Sequence, residues 1–140
     1  MEVLLPSDYI SSTAERISLY TELDHIKTEE RLQAFGKNLT DRFGPMPKPV
    51  LDLLNTLRLR WVAKDLGFEK IILRDNLMIA HFVSNQESVY YDTQTYQKVM
   101  QYILNHPKRC TVKEAHGKLI LTIKEVATVS QALHLVGEMQ

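Results

Sequence analysis

Histidine and cysteine are the residues with which this chain could bind a metal or form a covalent intermediate, but their spacing favours neither. No two histidines stand three or four residues apart, and Cys110 is the only cysteine, so half a zinc site cannot form locally. Lys108 and Arg109 beside Cys110 would favour a thiolate, yet cysteine is among the residue types most often buried. We therefore predict no metal site and no catalytic cysteine. Ordinary surface or half-buried positions are predicted for His25, His81, His106, His116 and His134.

Glycines and carboxylates do not indicate an active site either. A phosphate-binding loop needs clustered glycines so that the backbone can approach the phosphates, whereas the five glycines of this chain are single and scattered. Glu29 with Glu30, and Glu22 with Asp24, are close in sequence but point to different sides of a helix. Helix solvation explains them better than an acid/base pair. The sequence predicts a non-enzymatic domain with no catalytic residues and no bound cofactor.

A basic segment leaves nucleic-acid binding open as an alternative function. Arg58, Arg60 and Lys64 surround Trp61, and such cations with an aromatic ring can clamp and stack on nucleic acid. Further basic positions nearby in sequence or at turns are Lys70, Lys108 and Arg109. Trp61 also continues the apolar stripe of its own helix, however. The favoured interpretation is a core tryptophan flanked by arginines that lie along apolar surface.

Apolar residues at helical spacing predict five helices that would position these side chains. Capping boxes at Ser12–Glu15 and Thr128–Gln131 open the first and last helices, and Thr28 caps the second, which stops at Gly44. Pro49 suits the first turn of a third helix that ends near Gly67, while Asp92 is predicted to cap the fourth, which ends before Pro107. The predicted buried positions, helix by helix, are Ile17, Tyr20, Leu23 and Ile26; Leu32, Phe35, Leu39 and Phe43; Val50, Leu53, Leu54, Leu57 and Trp61; Tyr96, Val99, Met100 and Ile103; and Val129, Ala132, Leu133 and Val136.

Two β-hairpins are predicted among the later helices, each with a two-residue turn that tolerates positive φ. Their strands are residues 70–74 and 77–83 around Asp75-Asn76, and residues 110–114 and 118–124 around His116-Gly117, with a further short strand at residues 3–5. The predicted fold class is α+β: three N-terminal helices, then two hairpins each followed by a helix, with a small antiparallel or mixed sheet packed against helices. We expect residues 1–140 to form a single domain, with a helical half at about 10–67 and a mixed half at about 68–140.

Composition narrows the possible functions and location. Hydrophobic residues make up 44% and charged residues 24% of the chain, an ordinary globular balance. Lys+Arg and Asp+Glu are equal at 17 each, whereas a dedicated nucleic-acid binder normally has an excess of basic residues. No apolar run reaches the ~20 residues that span a bilayer, and the first residues lack the pattern of a signal peptide. A cytoplasmic protein without membrane contact is therefore expected.

Several motifs in the first half resemble one known family. The most specific is Asp41-Arg42-Phe43-Gly44 with Pro47 three residues later, preceded by Arg16 and Tyr20 at a spacing of four. Further matching segments are Pro6-x-x-Tyr9-Ile10, Glu15 to Tyr20, Leu39 and Thr40, Leu53-Leu54, Leu57 to Arg60, and Leu66-Gly67. Together they resemble the C-terminal domain of the bacterial transcription-repair coupling factor Mfd, with fitting order and spacing from about residue 4 to residue 72.

The resemblance implies that this chain is a regulatory part of a larger protein. Members of that family are ATP-driven DNA translocases that push on stalled RNA polymerase and recruit the excision-repair protein UvrA. Their nucleotide motifs and their DNA contacts belong to motor domains upstream of this one. In the resting protein the C-terminal domain packs against the N-terminal UvrA-binding region and masks it. The expected direct partner is thus that region of the same protein, with UvrA and RNA polymerase as indirect partners.

The resemblance also implies an interface on the second helix. The family presents acidic side chains from this helix toward basic residues of the UvrA-binding region, and the matching positions here are Asn38 and Asp41. They stand three apart, so they share one helical face, out of phase with the apolar stripe. Asp41 keeps the acid, while Asn38 can only form hydrogen bonds. Arg42 completes the interface, or serves locally near the negative end of the helix.

Overall fold

A computed structural model describes residues 4–140. These residues form two compact units, one reaching from the first described residue to Thr56 and the other comprising Leu57–Gln140. The expected single domain stays a prediction. Of the short strand expected at residues 3–5, Val3 lies outside the described residues, and Leu4 and Leu5 form no strand.

The first unit contains helices α1 (Thr13–Asp24) and α2 (Glu29–Phe43) and the first half of α3 (Lys48–Leu66). Ser12 accepts a hydrogen bond from the Glu15 amide and Thr28 from the Arg31 amide, so both helices begin at the predicted cap residues. The predicted capping box at Ser12 is half formed within the described residues, because the Glu15 carboxylate pairs with Arg42 instead. The prediction that Ile17 is buried was wrong, since Ile17 is 61% exposed. Leu19 is buried in its place, beside the predicted Leu23, and Ile17, two residues before Leu19, points to another side of α1.

Helix α3 continues into the second unit and ends at Leu66, next to the predicted stop at Gly67. The expected stripe through Leu57 and Trp61 was wrong in this half of the helix, because both side chains are only half-buried. Leu59 and Ala63 are buried in their place. These two are four residues apart, so they form the apolar face of the helix, and Trp61 lies off that face.

Four strands of the second unit form one sheet: β1 (Phe68–Arg74), β2 (Leu77–Phe82), β3 (Cys110–Ala115) and β4 (Lys118–Lys124). Their order is β1-β2-β4-β3 and every pairing is antiparallel. Both predicted turns join neighbouring strands. Asp75 and Asn76 have φ of 54° and 60°, and His116 and Gly117 have φ of 52° and 75°, as the right-handed twist of a tight hairpin requires.

Two helices lie between and after these hairpins, α4 (Gln94–Asn105) and α5 (Val129–Glu138). Asp92 does not cap α4, contrary to expectation, because a short 3₁₀ helix at Val89–Asp92 ends there. Thr93 is extended and accepts a hydrogen bond from the Tyr96 amide, so it caps α4. Thr128 and Gln131 form the predicted capping box of α5.

The core of the second unit lies between the sheet and the apolar faces of α3, α4 and α5. Leu133, expected to be buried, is half-buried, and Leu135 occupies the core. The predicted α+β class and its order of helices and hairpins are confirmed. No helix within residues 4–140 combines the length and apolarity needed to cross a bilayer.

Candidate protein-interaction face

The outward face of α2, defined by Asn38 and Asp41, is the site to which the sequence points. Both residues are exposed. Leu32, Phe35 and Leu39 of the same helix are buried and fix its rotation. Within the described residues the Asp41 carboxylate makes no hydrogen bond or ion pair. A charge that is not neutralised locally can interact with a cation of a partner.

Tyr9 fixes the end of α2 that carries Asp41. Its hydroxyl donates to the Gly44 carbonyl oxygen at 2.7 Å, and its ring lies 5.8 Å from that of Phe43. Gly44 has a φ of +89°, which allows the chain to leave the helix. Burial raises the pKa of the Tyr9 hydroxyl. The Phe-Gly pair of the motif is thus architectural, and it positions the acid that precedes it.

Arg42 does not share the outward face, because its side chain is engaged inside the first unit. Its guanidinium forms an ion pair with Glu15 of α1 and lies 4.8 Å from the centre of the Phe43 ring. Both partners of the ion pair are partly exposed, so the interaction contributes modestly to stability. The geometry supports the local role of Arg42 and brings only Asn38 and Asp41 together.

A groove adjoins the outward face of α2, and Asn38 is one of the residues that line it. Its volume is about 410 Å³. Ile26 and Phe35, 6% and 4% exposed, form an apolar floor. The other lining residues are Glu22, His25, Arg31 and Ala34. Sequence reasoning missed the groove, although Arg31, Ala34 and Asn38 recur every three or four residues and so form one stripe of α2.

The basic residues of the alternative function are distributed over the second unit in different environments. Arg60 and Lys64 are exposed and, being four residues apart, lie on one side of α3, whereas Arg58 is half-buried. Lys70 and Lys108 are exposed as well. Arg109 binds backbone, with its Nε 2.8 Å from the Lys124 carbonyl oxygen and its Nη2 3.1 Å from that of Glu125. Arg109 therefore serves the end of the second hairpin.

The surroundings of the histidines and the cysteine bear on the predictions of no metal site and no catalytic cysteine. Within residues 4–140 no three His, Cys, Asp or Glu side chains are grouped as metal ligands. His106 bonds the Tyr102 carbonyl oxygen, and His134 lies 3.3 Å from the Glu138 carboxylate. Cys110 is buried and burial raises the pKa of its thiol, which disfavours the nucleophilic thiolate.

Comparison with known proteins agrees with the motifs. Residues 1–93 match the model of the TRCF domain family. The chain belongs to the TRCF domain family. This TRCF domain is 41% identical to the transcription-repair-coupling factor of Escherichia coli (strain K12) over 71 residues, which are 51% of the chain and 6% of that protein. It is 22% identical to that of Rickettsia prowazekii (strain Madrid E) over 126 residues, 90% of the chain and 10% of that protein.

A solved structure shares the fold of this TRCF domain. The crystal structure of the C-terminal domain of transcription-repair coupling factor superimposes with a TM-score of 0.75, over 99% of this chain and 87% of that one, at 19% sequence identity. The two chains therefore share one fold. This TRCF domain spans only 6% to 10% of the curated relatives named above.

Proposed function

We propose that this TRCF domain is a non-catalytic regulatory domain of a transcription-coupled repair translocase, and that it masks the UvrA-binding region of the same protein. The observation that supports the proposal is that a chain of this family has an exposed polar face on α2. Asp41 is exposed without a local partner, and Asn38 lies beside it at the edge of the groove. A cytoplasmic location, and links to DNA and RNA polymerase through other parts of the parent, belong to the same proposal.

Masking works by mutual exclusion. The domain favours the resting state only through contacts that the active state lacks, so each contact on α2 shifts the population toward the masked form. Asp41 supplies an ion pair with a basic residue of the UvrA-binding region, and Asn38 supplies a hydrogen bond. Because one of the two positions is neutral, the electrostatic part is weaker than with two acids.

The proposal is tested by calorimetric titration of this domain into the separately produced UvrA-binding region, with UvrA then added as competitor. We expect binding that UvrA displaces. Asp41→Lys should weaken it about tenfold, since one attraction becomes a repulsion at a rim position. Asp65→Lys is the matched control, an exposed helical aspartate on α3, and should leave the affinity unchanged.

A covalently linked form of the two parts distinguishes weak binding of the UvrA-binding region from no binding. If the free domain does not bind, the two parts are joined by a flexible linker, which raises their effective concentration. Failure of the linked form to exclude UvrA would show that masking is wrong. A salt-dependent shift of duplex DNA, abolished by Arg60→Glu with Lys64→Glu, would favour the alternative of a nucleic-acid-binding accessory domain.

A further inference from the structure

The four-stranded sheet has one covered and one uncovered face. Along β2 the buried side chains of Met78, Ala80 and Phe82 alternate with half-buried ones, and β4 alternates in the same way. Several of the uncovered positions carry aliphatic side chains, beside His81 and Thr122, where a solvated sheet face is normally polar. We call this surface the open sheet face, and its apolar centre consists of Ile72, Leu77, Ile79 and Ile120.

Cross-strand register shows that this centre is continuous. Ile72 pairs with Ile79 across β1 and β2, and Ile79 pairs with Thr122 across β2 and β4. His81 pairs with Ile120 in the next row. The aliphatic side chains therefore form one patch over β1, β2 and β4, and each keeps part of its surface accessible.

Cations surround this patch. Lys70 and Arg74 stand on edge strand β1, Lys113 stands on edge strand β3, and Lys118 and Lys124 stand at the two ends of β4. All five are exposed, and within the described residues none forms an ion pair with a carboxylate. The outward positions defined by this register contain no Asp or Glu. Glu114 stands two residues after Val112 on β3, so its position belongs to the other face of the sheet. The Glu69 carboxylate accepts hydrogen bonds from the Ser84 amide and hydroxyl.

The dimensions of this surface fit a helix. Neighbouring strands lie about 4.8 Å apart, so four strands give a surface of about 14 Å between the edge strands. An α-helix has a diameter of about 10 Å, which covers the two middle strands and leaves its flanks beside the edge-strand cations. Of the aromatic side chains on which nucleic-acid bases stack, His81 is the one at the outward positions of this register, and no Phe, Tyr or Trp occurs there. The aliphatic centre matches the apolar stripe of a protein helix.

We propose that the open sheet face binds an acidic amphipathic helix of a protein partner. Its apolar stripe packs on Ile79 and Ile120, and its carboxylates pair with the cations on both edges of the sheet. This site lies in the second compact unit and shares no residue with the outward face of α2. It does not depend on the masking function.

The test uses the whole chain and a fluorescein-labelled model peptide, measured by fluorescence anisotropy. The peptide carries Leu on one helical stripe and Glu elsewhere, and a scrambled peptide of the same composition spreads its Leu around the helix. We expect the amphipathic peptide to bind and the scrambled one to bind at least about tenfold more weakly, because apolar burial requires a continuous stripe. Labelled single-stranded and duplex DNA are titrated in parallel.

Two variants dissect the surface. Lys70→Glu with Lys113→Glu reverses one cation on each edge and should weaken peptide binding about tenfold. Ile79→Thr keeps a β-branched strand residue, removes aliphatic surface and should weaken binding several-fold. Lys27→Glu with Lys98→Glu, two exposed cations outside the sheet, is the charge-matched control and should bind as the parent does. Circular dichroism confirms that each variant is folded.

Several results would overturn the proposal. Absence of peptide binding would show that the open sheet face is not a helix-binding site. Equal affinity for the scrambled peptide would show that charge alone is recognised. Binding of DNA in preference to the peptide, lost with Lys70→Glu and Lys113→Glu, assigns the surface to nucleic acid instead. Equal losses in the charge-matched control show that only net charge matters.

Discussion

Gly67 joins α3 to β1 with a φ of +92°, and a Cβ placed on it would overlap the ring of Tyr90. The Tyr90 hydroxyl donates to the Leu66 carbonyl oxygen, so the ring is held against the glycine. Gly67→Ala must therefore strain the backbone and displace a partly buried aromatic side chain. We expect the free energy of unfolding to fall by about 3 kcal/mol, measured by urea denaturation.

Gly117→Ala distinguishes the backbone strain in Gly67→Ala from the displacement of the Tyr90 ring. Gly117 has a φ of +75° in the second hairpin turn, and a Cβ there would meet no atom within 4 Å. Only backbone strain applies, so the loss should be about 1 kcal/mol. Equal losses for the two alanine variants would mean that the contact between Gly67 and Tyr90 contributes nothing.

Tyr90 also makes the stability of the fold sensitive to alkali. Burial raises the pKa of its hydroxyl well above the ordinary value of about 10, and the nearby Tyr91 and Tyr96 raise it further. Above pH ~10 the unfolded chain releases this proton while the folded chain retains it, so stability falls as pH rises. Below that pH the contribution is fully present.

Tyr90→Phe tests this dependence. The variant should lose about 1 kcal/mol at neutral pH, because the hydrogen bond to Leu66 is absent. Its unfolding free energy should then fall less steeply than that of the parent between about pH 10 and 11. Parallel curves for the two proteins, measured by denaturant titration at several pH values, would contradict the assignment to Tyr90.

At the scale of elements, the beginning of α5 depends on a reciprocal pair of hydrogen bonds. The Thr128 hydroxyl accepts from the Gln131 amide at 3.1 Å, and the Gln131 side chain accepts from the Thr128 amide at 3.3 Å. Thr128→Ala should lower the free energy of unfolding by about 1 kcal/mol, as loss of a helix cap does. Ser130→Ala, an exposed change in the same turn, should have an effect within about 0.5 kcal/mol. A similar loss in both would indicate helix propensity rather than capping.

The predictable features of these elements are those that local chemistry decides. Hairpin turns at Asp75-Asn76 and His116-Gly117 followed from residues that tolerate positive φ, and the cap at Thr128 followed from its spacing to Gln131. The wrong burial predictions concern helices with two candidate apolar positions, where packing against neighbouring elements determines which one is buried. Ile17 and Leu19 are equally apolar, and only packing against the rest of the unit decides which one is buried.

The same limit applies to the candidate site. The exposure of Asn38 and Asp41 followed from their phase relative to the buried stripe of α2. The pairing of Arg42 with Glu15 could not be predicted, because it joins residues 27 positions apart on two helices. The groove could not be predicted for the same reason, because it forms where the end of α1 lies next to one face of α2.

At the scale of the whole molecule, the chain carries two candidate surfaces of opposite character in separate compact units. The outward face of α2 presents the acid Asp41, and the open sheet face presents cations around an aliphatic centre. A net charge of zero conceals this difference, because 17 basic and 17 acidic residues cancel. Local charge is therefore the better guide to partners.

Because the two surfaces share no residue and require partners of opposite charge, their affinities should vary independently. Asp41→Lys should weaken binding of the UvrA-binding region and leave the acidic helical peptide unaffected. Lys70→Glu with Lys113→Glu should do the reverse, and the effects in the combined variant should add, as is usual for sites without shared contacts. Calorimetry with each partner alone, and with the other at saturation, measures both quantities. If saturation with one partner changes the affinity for the other more than about threefold, the surfaces are coupled, and masking and helix binding would be parts of one mechanism.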